Sequence, residues 1–214
     1  MGVNPELNAL QKEVTRQRIL EAGFRLFVDN NIDKVTMQDV AAAAGVGVAT
    51  VYRYYSTKPA LAMAVSAWIW ARYEAETAIL VEMRHDATAA DEFEYYLESF
   101  LDLYRNHSDM LRFNQFFNIY IEQESVSADE MQPYTDVVTR IAQRFAVIYQ
   151  HALKDGTMRT DIPGKDIFLA TLHIMMAAIT RYAVGLAYEG GADKEAELVL
   201  LKNMLLKEFT IDKR

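Results

Sequence analysis

Four histidines, His85, His107, His151 and His173, are spread along the chain with no spacing that suits a metal ion. The 214 residues include no cysteine, so neither a disulfide nor a thiolate metal site can form. Neither a glycine-rich phosphate loop nor a nucleophile elbow occurs. Metal-assisted and covalent catalysis are therefore not expected, no cofactor is called for, and the chain does not read as an enzyme. The residues whose types and spacing do suggest chemistry lie between Val35 and Lys58, in VTMQDVAAAAGVGVATVYRYYSTK. Val48, Ala49, Tyr52 and Arg53 fall on one face of a short helix, and in a helix-turn-helix that face enters the major groove of DNA. Lys58, at the start of the following helix, is placed to meet a phosphate together with the helix N-terminus; the competing reading is a solvated lysine.

Those side chains need a frame, and the local signals supply one. Thr36 is a good N-cap and Asp39 can reach back to its amide, so a helix starts near Met37. It runs through Ala41, Ala42, Ala43 and Ala44 and stops at Gly45, which takes a left-handed conformation at no Cβ cost. A second helix begins near Gly47. Val40, Ala44, Val46, Val51 and Tyr54 would form the shared core, with Ala41 small where the helices cross. An ordinary pair of short helices is the plain alternative. Two helices cannot bury their own apolar faces, and Thr15 to Asn30 supplies a third, with Ile19, Leu20, Phe24, Leu26 and Phe27 at helical spacing. Arg16 and Arg18 near its start either touch phosphates or face solvent. Before it, Met1 to Val14 shows little periodicity and reads as a disordered arm.

Beyond the head the chain is a series of amphipathic helices. The first runs from Lys58 to about Met83, roughly 39 Å at 1.5 Å per residue. His85 to Ala90 reads as a connection, followed by helices at about Asp91 to Asn106 and Asp109 to Glu124, a polar loop at Ser125 to Pro133, and a helix at Asp136 to Lys154. Phe113, Phe116, Phe117 and Tyr120 crowd one broad face beside Asn114 and Asn118. All of these but Phe116, with Trp68, Phe100, Tyr104, His173 and Met176, form a candidate ligand-binding set, because amides bordering an aromatic face can orient a small lipophilic molecule. A solid core is the alternative. His173, among apolar neighbours, reads as a core or pocket residue. The last two helices, about 166–188 and 194–209, carry apolar residues on two faces, and their excess apolar surface suggests self-association rather than a thick monomeric core.

The formal net charge is −8, but it is unevenly spread. Residues 1–58 hold seven Lys and Arg against six Asp and Glu, while the remainder holds 15 against 24. The acidity belongs to the second part, and the head keeps Arg16, Arg18, Arg25, Lys34, Arg53 and Lys58 for a polyanion. No membrane span is predicted, since Arg181 interrupts the longest apolar stretch, Ile167 to Tyr188. With no export signal and no cysteine, a cytoplasmic location is expected.

The segments TRQRILEA, LF, TMQDVAAAAGV and TVYRYYSTKPAL, in that order and spacing, resemble the N-terminal domain of the tetracycline-repressor (TetR) family of transcriptional regulators over about Thr15 to Val65. The resemblance implies an all-helical homodimer. Its head would span residues 1–57, and residues 58–214 would form a helical ligand-binding and dimerisation domain whose last two helices build the interface. It also implies a palindromic operator in double-stranded DNA, usually bound as a repressor. By position, Thr36, Tyr52 and Lys58 match phosphate contacts, and Val48, Ala49, Thr50 and Arg53 lie at or near base edges. Many members have serine and lysine where this chain has Gly47 and Val48. Arg53 then carries more of the readout, as an arginine that can pair bidentately with guanine. The acidic, aromatic-rich second part suits a neutral or cationic lipophilic effector. A regulator of the same fold controlled by a protein partner, with the aromatic cluster as solid core, is the competing reading.

Overall fold

In a computed structural model, residues 5–82, 87–124, 126–186 and 193–211 are described. Among them are nine helices: α1 (Pro5–Asn30), α2 (Met37–Ala44), α3 (Val48–Tyr54), α4 (Lys58–Glu82), α5 (Ala89–Asn106), α6 (Ser108–Gln123), α7 (Ala128–Asp155), α8 (Gly164–Ala183) and α9 (Lys194–Phe209). The fold is all-α. The only pairing of extended chain among the described residues is an isolated bridge between Met158 and Thr210. Two compact units are distinguished, one of Met1–Glu74 with Phe113–Thr135 and one of Ala75–Arg112 with Asp136–Arg214.

The first unit is built on α1. Ile19, Leu20 and Phe27 are fully buried, Phe24 nearly so, and they meet Val40, Val51, Leu61 and Val65 from α2, α3 and α4 in one apolar core. Gly23 allows close packing there, since a Cβ would lie 3.2 Å from Val65 Cγ2. Phe113 of α6 closes this core, its ring centroid 5.7 Å from that of Phe24 and 6.4 Å from that of Phe27.

In the second unit α5, α8 and α9 pack on one another around Phe93, Leu97, Ile167, Met175, Ile179 and Leu198. Phe145 of α7 joins them through Phe93 and Phe168, at 6.1 and 5.6 Å. The start of α5 is capped twice. Thr88 and Asp91 form a capping box, and the Asp155 carboxylate and Thr157 hydroxyl accept from the amides of Ala89 and Ala90 at 2.7 and 3.0 Å. Lys202 donates to Glu94 and Glu98, both at 3.0 Å, fixing α9 on α5.

Several sequence expectations are corrected. Within the described residues the arm is not disordered: α1 begins at Pro5, because Glu6 to Glu13 contains no helix breaker and proline at a first helical position gives up an amide that would be unpaired anyway. The Tyr54 hydroxyl also donates to the Lys12 carbonyl at 3.0 Å and holds this first half in place. The loop expected up to Pro133 is already helix from Ala128, started by a Ser127–Glu130 capping box, with Pro133 inside at the cost of one internal bond. α8 stops at Ala183 with Gly185 at φ 77, short of the expected end at Tyr188. Residues 83–86, 125 and 187–192, with them Met83, His85, Ser125, Tyr188, Gly190 and Gly191, lie outside the described residues.

Gly45 is a position where glycine is required. Its φ is 65, and a Cβ there would lie 2.6 Å from Arg18 Nη2. Gly45→Ala is expected to cost about 1–2 kcal/mol, seen as a melting temperature lowered by roughly 2–8 °C. Scanning calorimetry of the full chain checks this, and an unchanged melting temperature would contradict it.

Candidate nucleic-acid interface

The turn that aims α3 is held at both ends. Thr36 caps α2: its hydroxyl accepts from the Asp39 amide at 3.2 Å and donates to the Asp39 carboxylate at 2.7 Å, while the Thr36 amide reaches the same carboxylate at 2.9 Å. The bond from the Thr36 hydroxyl, and then that from its amide, hold the Asp39 carboxyl below the usual carboxylate range. At the other end the amides of Gly45 and Val46 return to the carbonyls of Ala42 and Ala41, at 3.1 and 3.0 Å, in a Schellman turn. Gly47 then begins α3 in an extended conformation with no side-chain cap. Val51 of α3 is fully buried and fixes the helix rotationally.

That rotation exposes Val48, Ala49, Tyr52 and Arg53 on one face, with Val48 38% and Tyr52 47% exposed; Thr50 is half-buried. The predicted reading face is thus brought together. Val46 and Tyr54, expected in the shared core, are only half-buried, because the Tyr54 ring runs outward to the Lys12 carbonyl. The Arg53 guanidinium lies 5.8 Å from the centroid of the Tyr54 ring, so a phenol anchored at its far end steadies the arginine.

The other cations of the head are placed differently. Arg16 makes a two-pronged contact with Glu13, at 3.0 and 2.9 Å. Arg18 lies over the Gly45 turn. Lys58 is not a solvated lysine: its ammonium donates to the carbonyls of Ile32 and Asp33 at 3.0 and 3.2 Å and lies 5.2 Å from the centroid of the Tyr120 ring. It therefore ties the α1–α2 connection and α6 to the start of α4. Two of its three N–H groups are used, which leaves one.

The ten candidate ligand residues divide between the two units. Trp68, Phe113, Asn114, Phe117, Asn118 and Tyr120 belong to the first. There Phe113 and Phe117 stack at 5.7 Å, Trp68 meets Phe24 edge-on at 6.2 Å, Asn114 is buried and Asn118 is exposed. Phe100, Tyr104, His173 and Met176 belong to the second unit. Phe100 is buried against Tyr96 at 5.1 Å, Tyr104 instead meets Tyr182 at 6.3 Å, and Met176 is half-buried. His173 is exposed, not core, because it shares with Ile174 the side of α8 opposite to Met175 and Ile179. Sequence reasoning placed Phe24 on the apolar face of the first helix without its ring partners, and missed Tyr134 and Tyr96. Tyr96 had a local signal, four residues before Phe100, whereas Phe24 and Tyr134 meet their rings, Phe113 and Phe117, only through the fold.

Comparison with known proteins agrees with this geometry. Residues 19–65 match the family model of bacterial regulatory proteins, tetR family. The chain is 24% identical over 194 residues to the HTH-type transcriptional regulator SrpR of Pseudomonas putida, covering 91% of this chain and 83% of that protein. A similar fold occurs in a candidate transcriptional regulator of Saccharomonospora viridis in complex with choline, with TM-score 0.71, 18% identity, and 92% of this chain and 98% of that one covered. It occurs also in the transcriptional regulator FadR of Bacillus subtilis in complex with stearoyl-CoA, with TM-score 0.68, 15% identity, and 90% and 96% covered. No helix among the described residues is long and apolar enough to cross a membrane.

Proposed function

Because the chain belongs to the tetR family of bacterial regulatory proteins, we propose that this transcriptional regulator is a cytoplasmic repressor that binds a palindromic operator as a homodimer and is released by a small lipophilic effector. The observation that carries the reading is the exposed face of α3, Val48, Ala49, Tyr52 and Arg53, aimed by a turn capped at both ends. Arg53 reads guanine; Gly47, Val48, Ala49 and Thr50 approach base edges, where the apolar groups suit thymine methyls. Tyr52, the remaining N–H of Lys58 and the capped start of α2 at Thr36 meet phosphates. With Gly47 in place of a polar side chain, phosphate contact near the start of α3 falls to the backbone.

Dimerisation is assigned to α8 and α9, where Ile174 is 43%, Leu200 60% and Met204 58% exposed. Residues 1–57 act as the DNA-binding head and 58–214 as the effector and dimerisation domain. The head's compact unit nevertheless takes in part of α6, with Phe113 against Phe24 and Phe27 and Tyr120 beneath Lys58. A displacement of α6 therefore reaches the head through packed rings. An effector weakens operator binding by its preference for the conformation with the wrong head spacing, and by no more than that. The complex of the Bacillus subtilis regulator with stearoyl-CoA is in keeping with a lipophilic class, and that of the Saccharomonospora viridis protein with choline with a cationic one.

The test is selection from random double-stranded DNA by the purified full chain. Two-fold symmetric sequences with half-sites about one helical turn, or a multiple of it, apart are expected. Enrichment of unsymmetric sites, or none, would overturn the reading.

A further inference from the structure

Tyr96 of α5 lies at the centre of a set of rings in the second unit. Phe93 and Phe100 on its own helix are 6.2 and 5.1 Å away, Phe145 of α7 5.2 Å and Phe168 of α8 6.5 Å. Phe209 of α9 closes the set against Phe93 at 6.1 Å. The Tyr96 hydroxyl is buried, and no protein group among the described residues hydrogen-bonds to it. Thr171 of α8 is a polar neighbour of the phenol, outside the geometry of a hydrogen bond to it. The hydrogen of Thr171 is already directed to the carbonyls of Ile167 and Phe168, at 2.8 and 3.0 Å. The rest of the Tyr96 residue is only half-buried, so the ring set is not sealed.

A buried hydroxyl left unpaired carries the whole desolvation cost of the group. Phenylalanine would give the same ring packing without it, so the hydroxyl answers a need that ring packing does not. A water would need two to four polar partners to be well held, and the ring set offers two hydroxyls, one of which has given its hydrogen away. An apolar molecule carrying one acceptor oxygen matches the surroundings better: its oxygen takes the phenol hydrogen and its body meets aromatic faces. The surrounding phenylalanines bring no charge, so a carboxylate or phosphate would enter without a counter-ion. Burial holds the phenol in its neutral, donating form.

We propose that Tyr96 is the polar anchor of a binding site for an uncharged ligand with an apolar or aromatic body and an acceptor oxygen such as a ketone, flanked by Phe93, Phe100, Phe145 and Phe168. This rests on the reading of an effector-responsive regulator and names the chemical class of the effector.

The test is thermal melting of the full chain and of Tyr96→Phe, each with acetophenone and with ethylbenzene, which has a similar body without the oxygen. The free Tyr96→Phe protein melts about 2–4 °C higher than the parent, since it buries no unpaired hydroxyl. Acetophenone raises the melting temperature of the parent more than ethylbenzene does, and the difference disappears in Tyr96→Phe, with about a tenfold loss of acetophenone affinity. Equal shifts for the two probes in the parent would overturn the proposal. So would an acetophenone effect that survives in Tyr96→Phe, or a free variant that melts lower than the parent, which would mean that the hydroxyl is satisfied internally. Acetophenone that binds through Tyr96 yet leaves a selected operator complex intact would keep the site and overturn only its role in release.

Discussion

Replacing Leu200 and Met204 together by aspartate is expected to yield a folded monomer whose operator affinity is about 10²–10⁴ times lower. These side chains lie one turn apart on α9 and are 60% and 58% exposed, so the substitution does not reach the core of either compact unit. Full burial of a residue of this size contributes about 1.5–3 kcal/mol, so two of them in each of two copies make up a substantial part of a dimer contact. Losing the dimer converts the second head's binding from an intramolecular event into an independent one, which is the origin of the large factor. Sedimentation shows the monomer, circular dichroism its unchanged helix content, and mobility shift the lost affinity. A variant that stays dimeric would place the interface elsewhere.

Arg53→Ala is expected to lower affinity for the selected operator by about 5- to 150-fold, corresponding to about 1–3 kcal/mol for one bidentate arginine–guanine pair, and to relax preference at a single position in each half-site. The fold should be untouched, because Arg53 is exposed and rests on Tyr54 without entering the core. Val48→Ala should shift preference much less, a methyl contact being weaker than two hydrogen bonds. Competition mobility shifts against operators changed one base pair at a time separate the two effects. Equal losses at every sequence after Arg53→Ala would make Arg53 a phosphate contact, and no loss at all would remove it from the interface.

The head was legible because its signals are local. A threonine cap, a carboxylate three residues on, a run of alanines and a glycine at a left-handed turn each act within one helical turn, and they place Val48, Ala49, Tyr52 and Arg53 outward before any long-range contact is known. The extension of α1 was not legible. Glu6 to Val14 has the polarity of a disordered arm, and what holds it is a bond from Tyr54 to a carbonyl 42 positions earlier in the chain. His173 was misplaced for a related reason. Apolar neighbours on both sides give a two-faced helix, and periodicity does not say which face meets this chain and which is left outward. The Tyr96 ring set joins α5, α7, α8 and α9, with Phe93 and Phe209 116 positions apart, so composition could suggest aromatic packing without saying which rings meet. Lys58 is intermediate. Its position at the start of α4 was legible, but its two carbonyl partners and the Tyr120 face beneath it come from the folded unit.

The most direct test of the central claim is a footprint of the purified protein on the DNA upstream of its own gene. The expected result is one protected stretch with two-fold symmetry and half-sites a helical turn, or a multiple of it, apart. Protection should be lost in Arg53→Ala and in the Leu200→Asp, Met204→Asp double variant at concentrations where the parent protects fully. Protection of an unsymmetric site that survives both variants would contradict a dimeric reader that uses the outward face of α3.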